Sequence, residues 1–354
     1  MIPDDSNNSA AQRAKQNTDL NERPLRIALF DIGTNSIKFL IAEITSASNI
    51  RKLFFSRTTT RLGAGIERDG KISHQALDRT LQAIAVFQEE VRKYSCGQTF
   101  AFATHVLRTA PNASTVVAMI ERQTGMRLRI LTGGEEAFYA FTSARNRVTL
   151  RKPHTILIDI GGGSTEFVFA YRFKMQDAHS LPLGAIQLTE TFLKSDPVAA
   201  KEYSAMQNYI EQTVSRSRIV SSFSRAGGAT LDLVISGGAI WTLAQMIYHA
   251  EGYSQHSTLF NKIKRHQLQS FLHRCLSLTV DERMQIEGLE PDRADIIVAG
   301  LAIVDYFMRA TNKRVLIANE GGVREGVLQA IIENDFSWPE EINPTETTPV
   351  EEPR

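Results

Sequence analysis

Cysteine is almost missing from this 354-residue chain: Cys96 and Cys275 are its only two. Their number and separation match no zinc or disulfide framework and predict a reducing compartment. An excess of charge of either sign is also missing. Forty Lys and Arg against 39 Asp and Glu leave a formal net charge of +1, which excludes the strong overall basic bias of a dedicated nucleic-acid binder. No apolar run reaches the roughly eighteen residues of a membrane-spanning helix. The N-terminus does not have the basic-then-apolar layout of a signal peptide. The expectation is a cytoplasmic protein with no membrane and no nucleic-acid partner.

What is present is a stretch that occurs twice. Residues 30–41 read Phe-Asp-Ile-Gly-Thr-Asn-Ser-Ile-Lys-Phe-Leu-Ile, and residues 158–169 read Ile-Asp-Ile-Gly-Gly-Gly-Ser-Thr-Glu-Phe-Val-Phe. Overlaid without gaps, they place Asp31 on Asp159, Gly33 on Gly161, Ser36 on Ser164 and Phe39 on Phe167. In each copy an apolar run delivers an Asp, a turn of small residues follows, and a second apolar run returns, which predicts a β-hairpin. Small residues at such a turn let backbone approach a ligand closely, and inward-pointing N–H groups there form an anion nest. Two copies imply two domains of one plan, which suits a chain of this length.

Along the rest of the chain, residues 1–23 and 337–354 carry no apolar period and are expected to be disordered tails, the second one acidic. A third strand is expected near 52–60, followed by a glycine loop carrying Arg57, Arg61 and Arg68 as a candidate polyanion contact. Apolar spacing predicts helices over 74–93, 198–220, 261–276 and 292–309 and a terminal helix to about 334. Strands are expected at 99–103, 128–131, 231–236 and 315–318, and the polar, basic stretch 145–153 separates the copies. Thr132 with Glu135 three residues on forms a capping box and puts Glu136 in the first turn of a helix. The positive end of that helix is expected to keep Glu136 ionised and able to accept a proton.

The difference between the copies is informative: Glu166 stands where the first copy has Lys38. Asp159 and Glu166 are expected to meet at the mouth of the second hairpin. Carboxylates beside a phosphate nest would repel the ligand unless a hard cation lies between them, and Mg²⁺ suits one or two carboxylates plus phosphate oxygens. With Glu136 free to activate a nucleophile, either a phosphohydrolase or a kinase would result.

The repeat, together with Ala103-Thr-His-Val-Leu-Arg108, Gly134-Glu-Glu-Ala137, Gly288-Leu-Glu-Pro-Asp-Arg-Ala-Asp295 and Gly321-Gly-Val-Arg-Glu-Gly326, resembles the exopolyphosphatase / guanosine pentaphosphate phosphatase family over about residues 25–335. The resemblance implies an α/β protein of two actin-like (ribonuclease H-like, ASKHA) domains with the active site in the cleft between them. It places domain I at 24–135 plus 323–336 and domain II at 136–322, in the short, two-domain form. It implies Mg²⁺-dependent release of a terminal phosphate, with Glu136 as the base that activates water and Asp159 and Glu166 as metal and site carboxylates. Asp31, Gly33, Thr34, Asn35, Ser36, Lys38 and Arg108, with Gly161, Gly162, Gly163 and Ser164, are the implied phosphate contacts. Inorganic polyphosphate is the expected substrate and guanosine pentaphosphate the alternative; a homodimer is expected from relatives. Phe138 departs from the family pattern, where Arg is common, and makes a nucleotide-binding regulator without turnover a third reading.

Overall fold

The computed structural model describes residues 24–46, 49–226, 230–252, 261–334 and 336–339. The expected N-terminal tail and residues 340–354 of the expected acidic tail lie outside them. Two sheets share one strand plan. In the first, β1 (Leu25–Ile32), β2 (Ser36–Ser46) and β3 (Asn49–Thr59) form an antiparallel meander. On the other side of β1, β4 (Gln98–Ala103) and β5 (Leu128–Ile130) add in parallel, so the order is β3-β2-β1-β4-β5. The second sheet repeats this with β6 (His154–Ile160), β7 (Thr165–Tyr171), β8 (Lys174–Leu181), β9 (Leu231–Gly237), β10 (Lys262–Lys264) and β11 (Val315–Asn319). Its order is β8-β7-β6-β9-β11, with β10 antiparallel at the far edge.

The pleat decides which side chains go where. Side chains alternate faces along a strand, so Ala28, Phe30 and Ile32 of β1 enter one apolar cluster while Ile27 and Leu29 enter another. The same split sends Ile156, Ile158 and Ile160 of β6 outward and Leu157 inward. The inward faces of both sheets meet a shared central cluster, filled by the helices Gly133–Arg147 and Val323–Glu333. Outside the first sheet lie His74–Lys93 and Ala113–Thr124; outside the second lie Ala200–Ser215, Gly238–Glu251, Arg265–Ser277 and Ile297–Ala310. Among the described residues, no helix is long and apolar enough to cross a membrane.

Several expected elements shift. The helix read at 261–276 begins at Arg265, because residues 262–264 pair with β11 as an edge strand. The helix read at 292–309 begins at Ile297. Pro291 opens a separate 3₁₀ turn, Pro291–Arg293, whose Asp292 side chain is engaged from β3. The separator read at 145–153 is helical as far as Arg147. Residues 337–339, read as the start of the tail, pack on the first sheet: the Trp338 ring meets Phe100 and Phe102 edge-on, and Arg129 lies 5.1 Å over it while donating to the Pro339 carbonyl.

The two central helices cross at Gly326, where a β-carbon would come within 1.8 Å of the Tyr139 carbonyl oxygen. Gly326→Ala is therefore expected to force the helices apart and lower stability by about 1–3 kcal/mol, the usual cost of overpacking. Urea unfolding of the variant against the native chain measures this.

Candidate active site

Period two also builds the site. Continuing the inward face of β1 past Ile27 and Leu29 gives Asp31, and continuing that of β6 past Leu157 gives Asp159. In the antiparallel register Asp31 faces Lys38 and Asp159 faces Glu166 as direct cross-strand partners. The hairpin turns close in the same way, with Gly33 N–H donating to the Ser36 carbonyl (3.1 Å) and Gly161 N–H to the Ser164 carbonyl (2.9 Å). The two turns also touch. A β-carbon on Gly162 would lie 3.1 Å from the Thr34 Cβ and 3.4 Å from the Asn35 nitrogen. Around them lies a cleft of about 870 Å³ of empty space, partly open to solvent.

Asp31, Gly33, Thr34, Asn35, Ser36, Lys38, Glu136, Asp159, Gly161, Gly162, Gly163, Ser164 and Glu166, all expected site residues, line this one cleft. The helices beginning at Ala185, Gly238 and Val323 present their first residues to it as well. The positive ends of their dipoles favour an anion there. Asn35 Nδ2 is buried and, among the described residues, has no hydrogen-bond partner. A buried amide donor left open at such a place is suited to a ligand oxygen.

Arg108 is not part of the lining. Its guanidinium pairs with the Glu136 carboxylate and donates to the Leu131 carbonyl at 2.7 Å. The capping box is present as expected, and it holds Glu135 on Thr132 while Arg129 pairs with it, so the adjacent Glu136 is the carboxylate left to face the cleft.

Four buried carboxylates, those of Asp31, Glu136, Asp159 and Glu166, line this cleft. Asp159 is 9%, Glu136 4% and Glu166 2% exposed, a degree of burial that raises the cost of each negative charge. Burial, then the charge of Asp159, pushes Glu166 up to about 7, against hydroxyls donated by Ser164 and Ser180 at 2.8 Å each. Burial raises Asp159 too, against the Lys38 ammonium. Burial and then Glu166 hold Glu136 well above the usual carboxylate range, outweighing the Arg108 guanidinium. Desolvation and like charge thus act against the ionised form that the helix terminus was expected to favour.

The donor set suits a hard cation. Among the described residues no group of three or more His, Cys, Asp or Glu forms a metal-holding cluster. An Asp159–Glu166 pair in a site that resists further negative charge fits an ion such as Mg²⁺, which takes one or two carboxylates and completes its shell with water and substrate oxygens.

Sequence reasoning missed three contributors. His105 packs over the second turn, where a β-carbon on Gly163 would come within 2.3 Å of its ring. Thr104 and Arg293 also line the cleft. Their only signal was membership of the runs 103–108 and 288–295. The Gly237-Gly238-Ala239 step after β9 also lines the cleft, and a β-carbon at Gly237 (φ 106°) would meet the Ile160 carbonyl at 2.2 Å. The expected polyanion track is corrected. Arg57 pairs with Glu290 and Asp292, Arg61 with Asp295, and Arg68 with Asp69 at the surface. Phe138 packs against the central core beside Tyr139 and not into the cleft.

Paired sheets of one strand order, joined by two central helices and carrying a phosphate-type cleft at their strand ends, define an actin-like fold of the phosphotransfer class. An exopolyphosphatase from Cytophaga hutchinsonii shares this fold with a TM-score of 0.80 at 21% identity, over 87% of this chain and 98% of that one. A Ppx/GppA family member of Aquifex aeolicus matches with a TM-score of 0.70 at 26% identity, over 88% and 99%. Exopolyphosphatase 1 of Mycobacterium leprae is 26% identical over 308 residues, 86% of this chain and 88% of its own length. Residues 40–335 match the Ppx/GppA phosphatase family. The chain belongs to that family and is a phosphatase.

His105 offers a test of the packing over the second turn. Burial, then the nearby Arg108 charge, lowers its pKa from 6.5 to about 4. A base depressed on folding stabilises the fold above its unfolded pKa and loses that contribution as pH falls from about 6.5 towards 4. Between pH 7 and pH 5 the native chain should lose up to about 2 kcal/mol through this group. Unfolding curves at the two pH values should show a smaller loss for His105→Gln.

Proposed function

We propose that the protein hydrolyses the terminal phosphate of inorganic polyphosphate, with a water activated by Glu136. The observation that carries this reading is the contact of two glycine turns beside four buried carboxylates in one cleft. The names of the relatives support it. The terminal phosphate would be held by backbone N–H groups of the two turns and by the open Asn35 amide, with Lys38 adding positive charge. The water oxygen attacks phosphorus, its proton passes to Glu136, and the anhydride P–O bond breaks with its electron pair leaving on the shortened chain. Arg108 keeps the Glu136 carboxylate oriented. Asp159 and Glu166 would hold Mg²⁺, which when bound stabilises the charge developing on the phosphate oxygens.

A second reading is a guanosine pentaphosphate phosphatase. It is favoured by the apolar flank of Ala185, Ala239, Ile296 and Ile297 beside the Gly237-Gly238 step, a surface suited to a flat base, and by the ion-paired state of Arg57 and Arg61. A nucleotide-binding regulator without turnover keeps less support, because Phe138 lies outside the cleft lining and Glu136 still has a cationic neighbour in Arg108.

Phosphate release should be measured from long polyphosphate and from guanosine pentaphosphate in Mg²⁺, for the native chain and for Glu136→Gln. The variant is expected to lose about 10²–10⁴ in rate, the usual contribution of a general base. Equal rates would remove Glu136 from its role, and faster release from the nucleotide would favour the second reading. Binding without release from either would favour the regulator.

A further inference from the structure

Arg293 reaches the cleft from the 3₁₀ turn Pro291–Arg293, its guanidinium lying against Gly238 so closely that a β-carbon there would sit 1.9 Å from Nη1. Its partner is Glu290, which accepts from the Arg293 Nε. An arginine bound to its own carboxylate is a neutral pair and a poor attractor of anions. That carboxylate, however, is shared. The same Glu290 oxygen lies 3.1 Å from Nη1 of Arg57, which comes from β3 of the other sheet.

The Arg57 fork also takes Asp292 at 3.0 Å, where Thr59 adds its hydroxyl, and Arg61 holds Asp295 at 2.7 Å. Arg57 is 17% and Arg293 11% exposed at the side chain, so water screens these charges weakly. The cluster is thus three guanidiniums and three carboxylates. Without Arg57 it would carry a net negative charge at the wall of a phosphate site.

We propose that Arg57 is a positioning and specificity residue: by taking up Glu290 and Asp292 from across the cleft, it frees Arg293 to present positive charge to an anionic substrate. The inference rests on the phosphate-hydrolysing reading and deepens it. The guanidinium that would act on substrate is on one sheet's side of the cleft, and the residue that makes it available is on the other. Affinity for a polyanion is then tied to the two halves being together. The part acted on is substrate beyond the terminal phosphate, since the terminal group belongs to the glycine turns.

The probe is tripolyphosphate in Mg²⁺ buffer, titrated calorimetrically into the native chain, Arg57→Gln, Arg57→Lys and the double variant Arg57→Gln/Glu290→Gln. Phosphate release is measured on the same four. Arg57→Gln should bind on the order of tenfold more weakly, the scale of one uncompensated charge nearby. Its KM should rise while kcat stays within about threefold, since the reacting atoms are untouched. Arg57→Lys, which keeps the charge and loses the fork, should stay near native. The double variant restores the charge balance and should recover affinity. Native affinity in Arg57→Gln overturns the proposal, and so does a double variant that stays weak, which would make the contact a mechanical latch only. A native chain that does not bind tripolyphosphate overturns the polyphosphate reading and this inference with it, whereas native binding with an unchanged Arg57→Gln overturns this inference alone.

Discussion

Two sheets can face each other only at the separation set by what fills the space between them. Here that filling is one pair of helices, in contact at the bare backbone of Gly326 and Tyr139. Side chains of both sheets settle on the pair, which binds the halves into one apolar layer. Where the helices begin, at Gly133 and Val323, their first turns line the cleft through Glu136 and Val323. The cleft is the space left over. It is bordered by the ends of β1 and β6, where Asp31 and Asp159 stand.

What stands in that space is costly to keep there. Each carboxylate added to a dry pocket raises the free energy of those already present, and Glu136, Asp159 and Glu166 all have their ionised forms disfavoured. The helix termini, Lys38 and Arg108 offset part of this cost. On the proposed reading, a cation would neutralise the imbalance that remains, and phosphate would follow through that cation. The same residues that make folding harder would then supply the affinity on which the proposed chemistry depends.

The repeat made much of this legible in advance. Asp31, Lys38, Asp159 and Glu166 could be placed because strand period and hairpin register are local rules, and both copies obey them. The capping box at Thr132 was legible for the same reason. The ionisation of Glu136 was not, because it depends on Glu166, which is distant in sequence and adjacent in space. Arg57 and Arg61 were misread as a polyanion contact because the carboxylates that pair with them lie more than two hundred residues away. The start of the helix at Ile297 was hidden likewise, since Asp292 and Asp295 are drawn into tertiary contacts that apolar spacing does not encode. His105 had no periodic signal; only the glycine against which it packs makes sense of it.

The capping box reaches further than the helix it starts. Glu135 is gripped on one side by Thr132 and on the other by Arg129, and Arg129 in turn is sandwiched between Glu135 and the indole of Trp338. A continuous mechanical train thus runs from the outer edge of the first sheet, through a cation and a cap, to the peptide that carries Glu136. Nothing in it touches the cleft. Wear at its outer end would reach the reaction as a change in aim, with every cleft residue still in place.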